Sequence, residues 1–109
     1  MNVAISHRAY VDLESIKIHI EDNLQNPQSA KKIMIDILNA IKSLDNFPDR
    51  GAPLNTLIAI NNDYRFIQSH NYVIFYRKEE NRVLIVRVLY KHRNFMKALF
   101  SNETNFSLD

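Results

Sequence analysis

The spacing of apolar residues changes from a helical to an alternating period near residue 64, and that change splits the chain into a helical half and a strand half. Before it, Ala9, Leu13, Ile16, Ile20 and Leu24 recur at steps of four, three, four and four. Ala30, Ile33, Ile37, Ala40, Ile41 and Leu44 form a second stripe, widened by Met34 and Leu38. Each set is one apolar face of a helix. After the change, 64–67, 72–76 and 83–90 are β-branched and aromatic runs, and each reads as a strand. Residues 2–5 alternate toward Val3 and Ile5 and suit a first strand.

Local signals punctuate the two halves. Ser6 is placed to cap the first helix, and Asp12 and Glu14 fall where the helix dipole favours acids. Asn26-Pro27 opens the second helix, since Asn caps well and Pro is tolerated at the first helical position. Phe47-Pro48-Asp49-Arg50-Gly51-Ala52-Pro53 holds the single Gly and two of the three Pro, so it is the clearest loop. The polar stretch 77–82 reads as a hairpin turn, and Phe95, Met96 and Leu99 predict a short closing helix. The expectation is an α+β fold in the order β-α-α-β-β-β, a helical hairpin on a small, mostly antiparallel sheet with a short C-terminal helix. One domain should occupy residues 1–100, with 101–109 as a flexible tail.

A chain of 109 residues suffices for one core but not for a cavity enclosing a large cofactor, so no cofactor is expected. It contains no Cys, which excludes disulfides, a thiolate nucleophile and cysteine-type zinc sites; no metal is expected. The N-terminus lacks the basic-then-apolar order of a secretory signal, and the apolar runs are far shorter than the roughly 20 residues of a membrane span. A soluble, cytoplasmic protein without membrane contact is the expectation. The net charge of +2 conceals a division. Residues 1–64 carry six Lys/Arg against eight Asp/Glu, whereas 65–97 carry eight Lys/Arg against two Glu. So concentrated a positive region favours phosphates or an acidic partner, although a solvated basic face would look the same.

Several ordered motifs lie at the joints of these elements: Ala9-x-x-Asp12-Leu13-Glu14-x-Ile16, Asn26-Pro27-x-x-Ala30, Leu44-x-x-Phe47-Pro48-x-x-Gly51, Tyr64-Arg65, Tyr72-x-Ile74-Phe75-Tyr76, and Ile85-x-Arg87-Val88-Leu89 running into Arg93. Their combination over about 90 residues resembles the RelE/ParE superfamily of bacterial type II toxins. The resemblance implies a toxin neutralised by a cognate antitoxin protein, whose acidic and apolar segment would cover a basic surface of Arg65, Arg77, Arg87 and Arg93. It also implies one of two targets. RelE-like members cleave mRNA on the ribosome without metal, whereas ParE-like members poison DNA gyrase. A non-toxic RNA- or protein-binding module is a third reading that the charge alone would serve.

If the chain is a nuclease, Arg65 matches the strand-borne arginine that RelE-like enzymes aim at phosphate. Tyr90, His92 and Arg93, with Lys91, lie where the last strand leaves the sheet. His92 is then the natural proton carrier because its ordinary pKa is near neutral. Binding candidates are Arg65, Arg77, Arg87, Lys91 and Arg93. Arg87 alternates with Val83, Ile85 and Leu89, so it either pairs with an acid of the helical hairpin or projects onto the same open face as Arg65. Tyr64, Tyr72 and Tyr76 suit base stacking or sheet packing. Two departures favour the ParE-like reading. Residues 51–64 contain no Lys or Arg where RelE-like nucleases place lysines, and Lys97 stands where the best-known nuclease type has a tyrosine. The run Arg87-Val88-Leu89-Tyr90 resembles the Arg-Val-Leu-His of ParE-like members, with Tyr90 replacing the His and Asn94 replacing a following Asp.

Overall fold

Ser6 decides where the first strand gives way to the first helix. Its hydroxyl accepts the Ala9 N–H at 3.1 Å, and its backbone N–H donates to the Ile85 carbonyl at 2.9 Å. The computed structural model describes residues 2–56, 62–95 and 97–100, apart from the side chain of Leu24. Strand β1 is Asn2–Ile5, helix α1 is His7–Leu24 and helix α2 is Pro27–Ser43. Between the helices Gln25 takes a left-handed φ of 52°, and Asn26 caps α2 by accepting the N–H groups of Gln28 and Ser29. Four strands follow: β2 (Ala52–Pro53), β3 (Tyr64–Ser69), β4 (Tyr72–Lys78) and β5 (Arg82–Tyr90), with a 3₁₀ turn at Leu54–Thr56 after β2. Residues 95 and 97–100 form the short C-terminal helix, α3.

The sheet has the order β1-β5-β4-β3-β2; β1 is parallel to β5 and the other pairs are antiparallel. The α+β architecture matches the sequence expectation, with local differences. Strand β2 lies inside the predicted loop and pairs Ala52 with Phe66 and Pro53 with Arg65. Two residues at a sheet edge carry no readable period. The β4–β5 ladder also continues through Arg77 and Lys78, because polar side chains at a strand end leave backbone pairing intact. Asp12 sits beyond the first turn of α1, so it does not serve the dipole there. The expected tail 101–109, and Met96 of the closing helix, lie outside the described residues.

The sheet separates two apolar layers. On one face Ala9, Leu13, Ile16 and Ile20 of α1 and Ala30, Ile37 and Ile41 of α2 pack on Ile67, Ile74, Tyr76, Val83, Ile85 and Val88. On the other, Leu54, Val73, Phe75 and Leu89 are covered by Phe95, Ala98 and Leu99. A β-bulge in β5 sorts the residues between these layers. Phe75 faces Arg87 but Tyr76 faces Ile85, so Val86 is the extra residue. One extra residue reverses which side chains point to which face. Val83 and Ile85 thus share the helix side with Val88, while Leu89 falls on the opposite face, so the strict alternation read around Arg87 is corrected.

The 47–53 loop is pinned from below. Tyr76 Oη accepts the Gly51 N–H at 3.0 Å and donates to the Pro48 carbonyl at 2.8 Å. A Cβ at Gly51 would stand 2.6 Å from Tyr76 Oη and 2.7 Å from the Phe66 carbonyl oxygen, which accounts for the single Gly at this joint. Tyr64 and Tyr72 also pack within the sheet, Tyr72 on the helix side and Tyr64 on the other. Among the described residues, no helix is long and apolar enough to cross a membrane.

Candidate functional site

Strand β1 pairs with β5 only as far as Ile85, which leaves the second half of β5 with an open edge beside α1. Asp12 closes that edge. Its carboxylate accepts the Val88 N–H at 3.0 Å and two bonds from Arg87, Nε at 2.8 Å and Nη2 at 3.0 Å. The remaining Arg87 nitrogen, Nη1, donates to the Ala98 carbonyl at 3.0 Å, so the guanidinium ties α1, β5 and α3 together. Both side chains are about nine-tenths buried, and a buried charge pair of this kind requires such complete hydrogen bonding. Of the two placements open for Arg87, the structure has the pairing with the helical hairpin.

Two recesses flank this pair. The larger, about 500 Å³, is lined by Asp12, Ser15, His19, Tyr72, Tyr90 and Arg93. The smaller, about 270 Å³, is lined by Arg8, Arg87, Arg93, Asn94, Lys97 and Ala98. Where β5 ends the chain turns sharply, with the Lys91 N–H donating to the Asn71 carbonyl and the Arg93 N–H to that of Tyr90. The turn presents Lys91, His92 and Arg93 to solvent. The Tyr90 ring stands edge-on to both Tyr72 and His92, at 5.9 and 5.2 Å between centroids. Burial, and secondarily Tyr90, pushes the Tyr72 phenol above its ordinary value.

The other sequence candidates lie elsewhere. Arg65 projects from β3 toward the pinned loop, where Nη2 donates to the carbonyls of Gly51 at 2.6 Å and Asp49 at 3.2 Å. Its buried Nε has no hydrogen-bond partner among the described residues. Arg77 pairs with Asp63 at 3.2 Å and lies over the Tyr64 ring. The structure therefore brings Tyr90, Lys91, His92 and Arg93 together, buries Arg87 beside them, and holds Arg65 and Arg77 apart. Sequence reasoning missed Arg8 and Asp12 as members of this site. Both lie on the first helix, and only the packing of α1 against β5 brings them to the strand end. Among the described residues, no three His, Cys, Asp or Glu side chains come together as metal ligands would.

This fold and its site can be set beside known proteins. Residues 3–95 match the family described as the ParE toxin of the type II toxin-antitoxin system, parDE. The chain belongs to the ParE toxin family. Among solved structures, it is similar to a chain of the chromosomal ParDE toxin-antitoxin system from P. aeruginosa, at 21% identity and a TM-score of 0.69. That likeness covers 83% of this chain and 95% of the other. No curated protein matches the chain. The family match runs from β1 into the start of α3, so it takes in the Arg87–Asp12 pair and the turn that carries Tyr90 to Arg93. This ParE toxin family member therefore belongs to a class of toxins of type II toxin-antitoxin systems.

Proposed function

We propose that the chain is a toxin held inactive by a cognate antitoxin, that it works in the cytoplasm, and that it acts on DNA gyrase and replication rather than on mRNA. The observation that carries the choice of target is the position of Arg65. Metal-free RNA cleavage needs cations aimed at the charge that builds on phosphorus. Here the arginine expected for that task is tied to two carbonyls of the 49–51 segment, and residues 51–64 supply no other cation. The proton-transfer candidates support the same reading. The Tyr90 ring packs edge-on between Tyr72 and His92, and His92 is exposed with no hydrogen-bonded group to orient its ring among the described residues. The recess beside the end of β5, with Tyr90 and Arg93 among its lining residues, suits docking of an acidic and apolar antitoxin segment.

The test is expression of the wild type and of His92→Ala, with and without the antitoxin, followed by mapping of mRNA 5′ ends and DNA breaks. The reading expects growth arrest with DNA breaks, intact mRNA, a modest effect of His92→Ala, and relief by the antitoxin. A ribosome-dependent nuclease would instead cut mRNA, and His92→Ala would reduce cutting by about 100-fold, the usual size of a general acid-base contribution.

A further inference from the structure

The smaller recess beside the Arg87–Asp12 pair gathers more positive charge than the fold uses. Arg8, Arg87, Arg93 and Lys97 all line it, no acid does so among the described residues, and Asp12 beside it is spent on Arg87. Arg8, Arg93 and Lys97 are exposed, and none makes an ion pair among the described residues. Arg8 is also badly placed for stability. It stands in the first turn of α1, which contains no acid, and the helix dipole there opposes a cation. An anion in the recess would reverse that balance, because the dipole and three side-chain charges would all attract it. Arg87, fixed by Asp12 on one side and the Ala98 carbonyl on the other, forms a rigid wall. Asn94 accepts the Lys97 N–H through Oδ1, which leaves its amide N–H groups to donate.

We propose that this recess is a phosphate-binding site, for the phosphodiester of a nucleic-acid strand or for a free phosphate group. A phosphate fits better than a carboxylate. Arg8, Arg93 and Lys97, unpaired among the described residues, line one recess from several sides, and the four tetrahedrally arranged oxygens of a phosphate group can meet arginine forks and a lysine point charge together, where a carboxylate has only two coplanar oxygens. The site does not depend on which cellular target the toxin has, since it rests on the charge and shape of the recess alone.

The experiment titrates the full chain with a short single-stranded DNA, with inorganic pyrophosphate and with poly-glutamate, across a range of salt. It compares the wild type, Arg8→Ala/Lys97→Ala, and Lys31→Ala/Lys42→Ala, which removes equal charge from exposed positions of α2. The site predicts that the first double variant weakens DNA binding by about tenfold or more and lowers the salt slope by about 1.4, while the second changes neither. Pyrophosphate binding with the same variant pattern, but without DNA binding, assigns the site to a free phosphate. Equal weakening by both double variants, no binding of either phosphate probe, or tighter binding of poly-glutamate than of DNA and pyrophosphate would overturn the proposal. Should Arg8→Ala/Lys97→Ala lose cooperative unfolding, Arg8→Gln set against Lys31→Ala serves the same comparison, because the Arg8 side chain is exposed and makes no ion pair among the described residues.

Discussion

Arg87 and Asp12 show how one pair can be both a joint of the fold and a wall of the site. The carboxylate replaces the strand partner that β5 lacks beyond Ile85, and the guanidinium reaches the first turns of α3. Removing one member leaves a buried, uncompensated charge, so Asp12→Ala or Arg87→Ala should each cost about 3 to 5 kcal/mol in denaturant unfolding. The double replacement Asp12→Leu/Arg87→Met should recover much of that loss. Equal costs for the double and the sum of the singles would show that the two side chains act independently. A second pair responds to acid. His70 takes a left-handed φ of 54° in the turn between β3 and β4 and bonds Asp36 of α2 at 2.7 Å. The His70 hydrogen bond, aided by Lys32 and opposed by partial burial, holds the Asp36 carboxyl below its ordinary 3.8. A folded value below the unfolded one means that the contribution is complete above the unfolded value and is lost as pH falls through the folded one. Unfolding midpoints measured from about pH 5 to about pH 2 should therefore fall less steeply in Asp36→Asn than in the wild type, by a small and salt-sensitive margin. Identical acid limbs would contradict this. Neither pair could be paired off by reading the chain, since their partners lie on different elements and no spacing links them.

The helices were legible because a single stripe of apolar residues can be buried in only one way. Ala9, Leu13, Ile16, Ile20, Ala30, Ile37, Ile41 and Leu44 are all buried as their spacing implies, while Leu38, at the margin of its stripe, is 46% exposed. Ile37 is completely enclosed, so Ile37→Ala should cost about 2 to 5 kcal/mol, whereas Lys31→Ala on the exposed face should change stability by less than about 0.5 kcal/mol. Chemical unfolding midpoints that ranked the two together would overturn the assignment of helix faces. Strand β5 was less legible. Its residues announce a strand, but the bulge at Val86 has no marker such as Gly or Pro, and it exchanges the faces of everything beyond it. Reading Arg87 by simple alternation therefore grouped Leu89 with Val83 and Ile85, when they lie on opposite sides of the sheet.

The molecule gathers its chemistry at one place by closing the chain on itself. Parallel pairing of β1 with β5 brings the start of α1 to the end of β5, so Arg8 and Asp12 meet Arg87, Arg93 and Lys97. The ordered motifs carried the toxin class and the strand-rich second half carried the positive charge, but strand order is a long-range property that residue patterns do not encode. Arg65 and Arg77, which look like members of the same basic surface, are held in contacts at other parts of the sheet. That distribution is the physical basis for choosing an inhibitor over a nuclease. The most direct measurement incubates the purified chain with DNA gyrase and plasmid DNA and, in parallel, with ribosomes translating a defined mRNA. The account predicts loss of supercoiling with gyrase-dependent DNA cleavage and an uncut message, and cleavage of the message on ribosomes with supercoiling unaffected would contradict it.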